Sequence, residues 1–274
     1  MRASTDSALV ALAREGDSQA LESLIARHQA RVYRFASKMC RNPDDAQEVL
    51  QETMLSLAKE LGSFREDASL TTWLYAVARS HCAKKLRRSK FAPERLESLD
   101  VEEALVPSAD ARTDPEAATA AREVDDALRL AIGGLDDASR EVLLLRDVEG
   151  LTAPEVASVL GTSPSAVKSR LHRARLAVRD AVAPLMQPTP VAVSAAQTCP
   201  DVLMQFSRHL EGEIDARTCS ELEAHLARCP RCKGACDSLR RSLALCGTAG
   251  QAVAVPTAVQ ASVKVALRDF VSGA

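Results

Sequence analysis

The chain has 274 residues, a formal net charge of −2, 46% hydrophobic side chains and only 3% aromatics. That length suits two or three small domains rather than one large core, and apolar content drawn mainly from Ala, Leu and Val favours packed helices, an all-α fold. No run of about 18 apolar residues could span a bilayer, and the start MRASTDSALVALAREGD is broken by charges, so a cytoplasmic protein with no membrane partner and reduced cysteines is expected.

The charges are segregated. Lys84, Lys85, Arg87, Arg88 and Lys90 form one basic run, Lys168, Arg170, Arg173 and Arg175 another, and Glu97 to Asp126 between them is acidic. In the first part, Leu21, Leu24, Ile25, His28, Val32 and Phe35 fall on one helical stripe. A second helix is predicted from about Asp44 to Leu61, with Val49, Leu50, Met54 and Leu57 as its core face and Gly62 as its stop. A polar loop, SFREDASLT, leads into a helix that begins near Thr71 and ends in the first basic run. From Leu96 to Arg122, Pro107, Pro115 and many acids give no sustained period, which predicts a linker. Helices resume from Val124 to about Ile132 and from Ser139 to Asp147.

LTAPEVASVLGTSPSAVKSRLHRARLAVRDAV then has the pattern of a helix-turn-helix. Thr152 caps the first helix, with Pro154 in its first turn and Glu155 closing a capping box. Gly161 supplies the turn, Ser163 caps the second helix, and Val167, Leu171, Ala174 and Val178 form its buried stripe. The opposite face carries Ser165, Ser169 and His172, flanked by Lys168 and Arg173, which suits a major groove lined by phosphates. No Ser/His/Asp or paired-carboxylate constellation stands out, so the chain does not read as an enzyme.

Beyond the tether PTPVAVSAAQT the sequence becomes cysteine-rich. A helix is expected with Pro200 at its start and Gly212 at its end, then another capped by Thr218 with Glu221 three residues on. In HLARCPRC, His225 and Cys229 lie one turn apart on one face, and Pro230 makes Cys229 a corner with Cys232 in the first turn of the next helix. That brings three metal donors together. Tetrahedral zinc requires a fourth. Cys236, one turn beyond Cys232 on the same face, is one candidate; Cys219 and Cys246 are either further ligands or packed thiols, and His209 is a spare donor.

Taken together, these segments resemble the extracytoplasmic-function sigma factors of bacterial RNA polymerase over roughly residues 7–186. DDAQEVLQETML resembles that family's acidic helix for the polymerase clamp, and SLTTWLYAVARSHCAKKLRR its helix for the promoter −10 element. The stretch from LDDASREVLLLRDVEG through the helix-turn-helix resembles the half that binds the −35 element. The resemblance assigns Asp45, Gln47, Glu48, Gln51 and Glu52 to core polymerase, and Arg79, Ser80, Lys84, Lys85, Arg87 and Arg88 to promoter DNA, the basic ones as phosphate contacts. Ser80 stands where the family commonly has Asn, which shortens any base contact there. The cysteine region resembles the zinc-binding anti-sigma fold, in which an upstream Cys or His completes the site; by that likeness Cys199 is the fourth ligand, with Cys236 its rival. A sigma factor carrying such a domain resembles the CorE-like group, whose own tail senses a metal.

The expected organisation is 1–95 for the polymerase and −10 domain, 96–122 for the acidic linker and 123–186 for the −35 domain. A tether at 187–198, a cysteine-rich domain at 199–250 and an amphipathic tail at 251–274 complete it, the tail docking on another domain through Val259, Val263, Ala266, Leu267 and Phe270. The function implied is a sigma factor switched by a metal ion, zinc or cadmium with copper as a third choice, needing no separate anti-sigma protein. In the alternative, the zinc is structural and the tail inhibits until a protein partner or thiol oxidation releases it.

Overall fold

The structure is a computed structural model that describes residues 5–40, 42–91, 115–186, 199–251 and 255–272. Among the described residues there is no strand. The helices are α1 (Asp6–Arg14), α2 (Ser18–Met39), α3 (Pro43–Glu60), α4 (Leu70–Phe91), α5 (Pro115–Gly134), α6 (Asp137–Leu143), α7 (Ala153–Leu160), α8 (Pro164–Met186), α9 (Val202–Leu210), α10 (Ala216–Arg228), α11 (Pro230–Gln251) and α12 (Thr257–Ser272). A single 3-10 turn, Leu61–Ser63, follows α3, and a π-helical turn, Leu144–Val148, follows α6. The chain divides into two compact units, one holding α1–α4 with α12, the other α5, α6, most of α7 and α8–α11.

In the first unit, Asp17 caps α2 by accepting from the backbone N–H groups of Gln19 and Ala20, and Asn42 caps α3 ahead of Pro43. The apolar stripes converge: Leu24, Ile25, His28, Val32 and Phe35 of α2 and Val49, Leu50, Met54 and Leu57 of α3 are buried, while Leu21 is half-buried at the edge. Phe35 meets Tyr75 of α4 edge-on at 5.5 Å. Trp73 is half-buried and packs on the equally half-buried Phe64 at 5.8 Å. The tail helix α12 packs on α3 and buries Val259, Val263 and Leu267; the side chain of Phe270 lies outside the described residues.

In the second unit the capping box at α7 forms as its residues require, with Thr152 N–H donating to Glu155 Oε2 at 2.8 Å. Gly161 takes φ +62°, a left-handed conformation that ends α7, and Ser163 Oγ accepts from Ala166 N at 3.2 Å to start α8. Val167, Leu171, Ala174 and Val178 are all buried.

Two boundaries differ from expectation. Helix α5 starts at Pro115 rather than near Val124. The Ala-rich run Ala117, Ala118, Ala120, Ala121 has high helix propensity, and Pro115 is tolerated in a first turn. Helix α10 is capped by Asp215, which accepts from Thr218 N at 2.7 Å, so Thr218 is the recipient of a cap and not the cap itself. The rest of the expected linker, 96–114, and the tether at 187–198 lie outside the described residues.

Gly161→Ala places a Cβ at positive φ, so the helix-turn-helix should lose about 1 kcal/mol. The check is the urea midpoint of the region containing α8, read against a wild-type control.

Candidate metal centre and nucleic-acid interface

The cysteine-rich segment folds as three helices around one small core. Val202, Phe206, Leu222, Cys229, Cys232, Cys236 and Leu239 are buried together, and Leu176 of α8 packs against them. Cys229 is the C-cap residue of α10 and Pro230 opens α11, so the chain turns sharply there and Cys232 follows in the next turn. The donor atoms of Cys199, His225, Cys229 and Cys232 all lie within 4.8 Å of one another. Cys199 and Cys229 sulfurs are 4.0 Å apart, close to the edge of about 3.8 Å that two thiolates define on tetrahedral zinc. His225 Nε2 is buried with no hydrogen-bond partner among the described residues, the state of an atom shaped for a metal. These residues fit a four-coordinate ion: each would supply one ligand atom, and the ion would hold the α10–α11 corner shut.

The thiols are electrostatically unequal. The backbone N–H of Cys232 lowers the pKa of Cys229 despite burial, while burial first, then the neighbouring Cys199 and Cys229, push Cys232 up to about 12. Burial lifts Cys236 to about 11. Cys236 does not join the cluster. The corner at Cys229–Pro230 brings Cys232 to the donors, but one turn further along α11 Cys236 faces α9, its sulfur 4.0 Å from the Val202 carbonyl oxygen. Cys219 also stands apart, half-exposed beside His209 and Glu223. Cys246 is buried in α11.

The face of α8 expected to meet DNA is split. Ser165, Ser169 and Arg173 are exposed, and Arg173 with Arg170 lines a shallow recess against Leu135, Asp136 and Ser139. Lys168 and His172, by contrast, turn toward the cysteine-rich helices. His172 is 5% exposed; its Nε2 donates to Glu213 at 2.7 Å and its Nδ1 shares a hydrogen bond with Ser207 Oγ at 2.9 Å. Lys168 Nζ lies 3.4 Å from the same Glu213 carboxylate. One turn on, Arg175 is gripped by Asp147 at 2.6 Å and Glu211 at 2.8 Å, with all three side chains at most 8% exposed. Arg146 also reaches Glu211, at 3.1 Å. Burial opposes charge on Arg175, yet Asp147 and then Glu211 raise its pKa above the ordinary value. Sequence reasoning missed this interface. Its only trace was the acidic turn Glu211-Gly212-Glu213 downstream of a basic helix, and nothing in linear spacing says that the two meet.

In the first unit, the acidic face of α3 is already engaged by α4. Lys85 pairs with Glu48 and, at 3.9 Å, with Asp45, and His81 pairs with Glu52 at 2.7 Å. Burial first lowers the pKa of His81, with Glu52 opposing. Gln47 and Gln51 are half-buried, as is Arg79; Ser80, Lys84 and Arg87 are exposed, and the side chain of Arg88 lies outside the described residues.

Comparison with known families places these features. Residues 24–91 match sigma-70 region 2, residues 125–178 match sigma-70 region 4, and residues 199–233 match a family described as "Putative zinc-finger". An ECF RNA polymerase sigma factor of Mycobacterium tuberculosis, SigM, is 33% identical over 62% of this chain and 81% of its own length. The chain belongs to the ECF family of RNA polymerase sigma factors. The RNA polymerase sigma-H factor of Pseudomonas aeruginosa is 30% identical over 66% of this sigma factor and 96% of its own. A solved structure of CnrH in complex with the cytosolic domain of CnrY is 26% identical, covering 63% of this chain and 93% of its own, with a TM-score of 0.46. As a family member this sigma factor is a transcription initiation factor and not an enzyme, with core RNA polymerase and promoter DNA as its partners. The zinc-finger match and the Cys3His cluster point to a bound metal, zinc.

Arg175→Ala strands Asp147 as a buried carboxylate and leaves Glu211 with Arg146 alone, and should cost about 3–5 kcal/mol, seen as a lowered urea midpoint of the second unit alone. The Glu213 contact carries its own pH signature. Burial pushes that carboxyl up, but His172 and then Lys168 outweigh burial and hold it below its ordinary 4.5. A depressed native value contributes full stability above 4.5 and loses it as pH falls through the lowered value. Hydrogen exchange of α9 should therefore stay protected from neutral pH down to that range and open only below it; opening already near pH 6 would contradict the sign.

Proposed function

We propose that this sigma factor is metal-responsive, and that its cysteine-rich domain regulates promoter engagement by occupying part of the −35 reading helix. The observation that carries the reading is the Glu213 carboxylate on Lys168 and His172, two of the α8 residues expected to face DNA. A carboxylate there stands in for a phosphate: it offers charge-assisted acceptors to the same donors. DNA and the acidic turn then compete for one surface. Ser165, Ser169 and Arg173 remain exposed for base and phosphate contacts in the competent state. The −10 side is assigned to Ser80 with Lys84, Arg87 and their neighbours on α4. Core polymerase is assigned to the acidic face of α3, the same helix on which α12 packs. The tail thus touches both helices that the transcription machinery uses, which supports a self-contained switch acting in the cytoplasm without a separate anti-sigma protein.

A second reading draws on the closed character of the Cys3His cluster. Four protein donors leave no open coordination position, the pattern of a structural rather than an exchangeable site. In that reading the zinc simply keeps the inhibitory domain folded, and a protein partner or thiol oxidation releases it.

Two variants test the inhibitory role: Glu213→Gln, and a chain ending near Gln187. Both should bind −35 DNA several-fold more tightly than the full chain in a gel-shift titration. Within the shorter chain, Lys168→Ala should flatten the log–log salt dependence by roughly one unit, the loss of one phosphate contact. Equal DNA affinity and equal promoter-dependent transcription for all three proteins, across zinc, cadmium and copper, would remove the proposal.

A further inference from the structure

Two buried thiols meet in the first unit, away from the cysteine-rich domain. Cys40 Sγ and Cys82 Sγ are in hydrogen-bond contact at 3.4 Å. Cys40 is the C-cap residue of α2, and Cys82 lies on α4, which packs against that helix. Further back along the same two helices Phe35 meets Tyr75 edge-on, so the register that brings the sulfurs together is held by an aromatic contact as well. The pair does not suit a shared ion. Two thiolates on tetrahedral zinc stand about 3.8 Å apart, and among the described residues neither sulfur belongs to a group of three donors close enough to hold a metal.

A disulfide needs about 2.05 Å between sulfurs, so the two must close by about 1.4 Å. Cys40 can supply that movement. It has left the helix, with an extended backbone at φ −81° and ψ 143°, and its χ1 is free of the clash with a preceding turn that restricts helical side chains. Cys82, by contrast, is carried on a helix that is pinned to α3 on both sides of it, by His81 on Glu52 and Lys85 on Glu48. The two thiols also differ in access. Cys40 is 7% exposed and Cys82 1%, so a small reagent arriving from solvent meets Cys40 first.

We infer that Cys40 and Cys82 form an oxidation site, a dithiol that hydrogen peroxide converts into a disulfide joining α2 to α4. The Cys40 thiolate attacks one peroxide oxygen and the O–O bond breaks. The hydroxide that leaves takes the Cys40 proton as water, and Cys40 becomes a sulfenic acid. The Cys82 sulfur then attacks the Cys40 sulfur, the S–O bond breaks, and a second water departs with the Cys82 proton. Two thiols and one peroxide thus give one disulfide and two waters. A small thiol reverses the bond by exchange. The link encloses all of α3 and the first half of α4 in a covalent loop, which removes freedom from the unfolded chain and favours the folded one. It lies on the inner side of α4, whereas Ser80, Lys84 and Arg87 face solvent, so the surface assigned to promoter DNA stays in place while the helix beneath it is stapled. The site is independent of the metal-responsive reading, since it uses none of the tail's donors.

The test uses the reduced, zinc-loaded full chain, treated with hydrogen peroxide, alkylated and mapped by mass spectrometry of its peptides. A Cys40–Cys82 disulfide is expected, reversible by dithiothreitol. Trp73, the one tryptophan of the chain, lies in α4, so its fluorescence reports urea unfolding of the first unit. Oxidation should raise that midpoint by about 1–2 M. Cys40→Ser and Cys82→Ser should each show no peroxide-dependent shift. That shift is read within each protein before and after peroxide, so a variant with a lower starting midpoint still answers, and the wild-type peptide map stands without any variant. Treated wild-type chain in which Cys40 and Cys82 both remain alkylatable, or in which either pairs with a tail cysteine instead, would overturn the site. A bond that forms and leaves the midpoint unmoved or lowered would overturn the staple.

Discussion

A buried guanidinium organises the second unit. Arg175 lies on the one helix that both the helix-turn-helix and the cysteine-rich domain must share, and it is held between Asp147 in the π turn and Glu211 at the end of α9. Removing three charged groups from water is expensive, and the mutual attraction roughly offsets that cost rather than adding a large surplus. What such a network supplies is register. With Arg175 fixed, His172 one turn earlier must face Ser207 and Glu213, and Lys168 before it must reach the same carboxylate. The apolar contact of Leu176 with the finger core then follows on the same stripe.

The placement gives α8 two personalities along its length. The 165–169–173 edge stays open, while the 168–172–175 edge is covered. On the proposed reading, DNA engages the whole of α8 only after the covered edge is surrendered. In the ionic part of this interface desolvation offsets much of the attraction, so on the proposed reading nucleic acid offering the same kind of negative charge competes for Lys168 and His172.

Much of this was legible in the sequence, for reasons that are local. Caps, turns and apolar stripes depend on residues a few positions apart, so the helix-turn-helix, its Thr152–Glu155 box and the buried stripe of α8 were read correctly from spacing alone. The corner at Cys229–Pro230 was legible for the same reason: proline cannot continue a helix. The onset of α5 was hidden because prolines and acids suggested a linker while the alanines, individually featureless, carried the helix. Asp215 was overlooked as a cap because Thr218 with Glu221 imitates a capping box three residues later. The choice among Cys199 and Cys236 turned on which face of α11 meets α9, a tertiary fact. The seating of the acidic turn on α8 could not be read from spacing, since its partners are about 40 residues away in sequence, as with His172 and Glu213.

The finger domain is attached at both ends, to α8 before it and to α12 after it, and α12 packs on α3. A ligand tethered to its own target faces it at an effective concentration in the millimolar range, whatever the amount of protein in the cell. Occupancy of α8 by the acidic turn is then independent of expression level, so if the turn blocks DNA as proposed, doubling the copy number doubles both the reader and its blocker. A separately encoded inhibitor offers no such guarantee, because its ratio to the sigma factor drifts with synthesis and turnover. Under the proposed inhibition, dosage would drop out of the regulation and conditions that alter the fold or the chemistry of the tail would tip the balance.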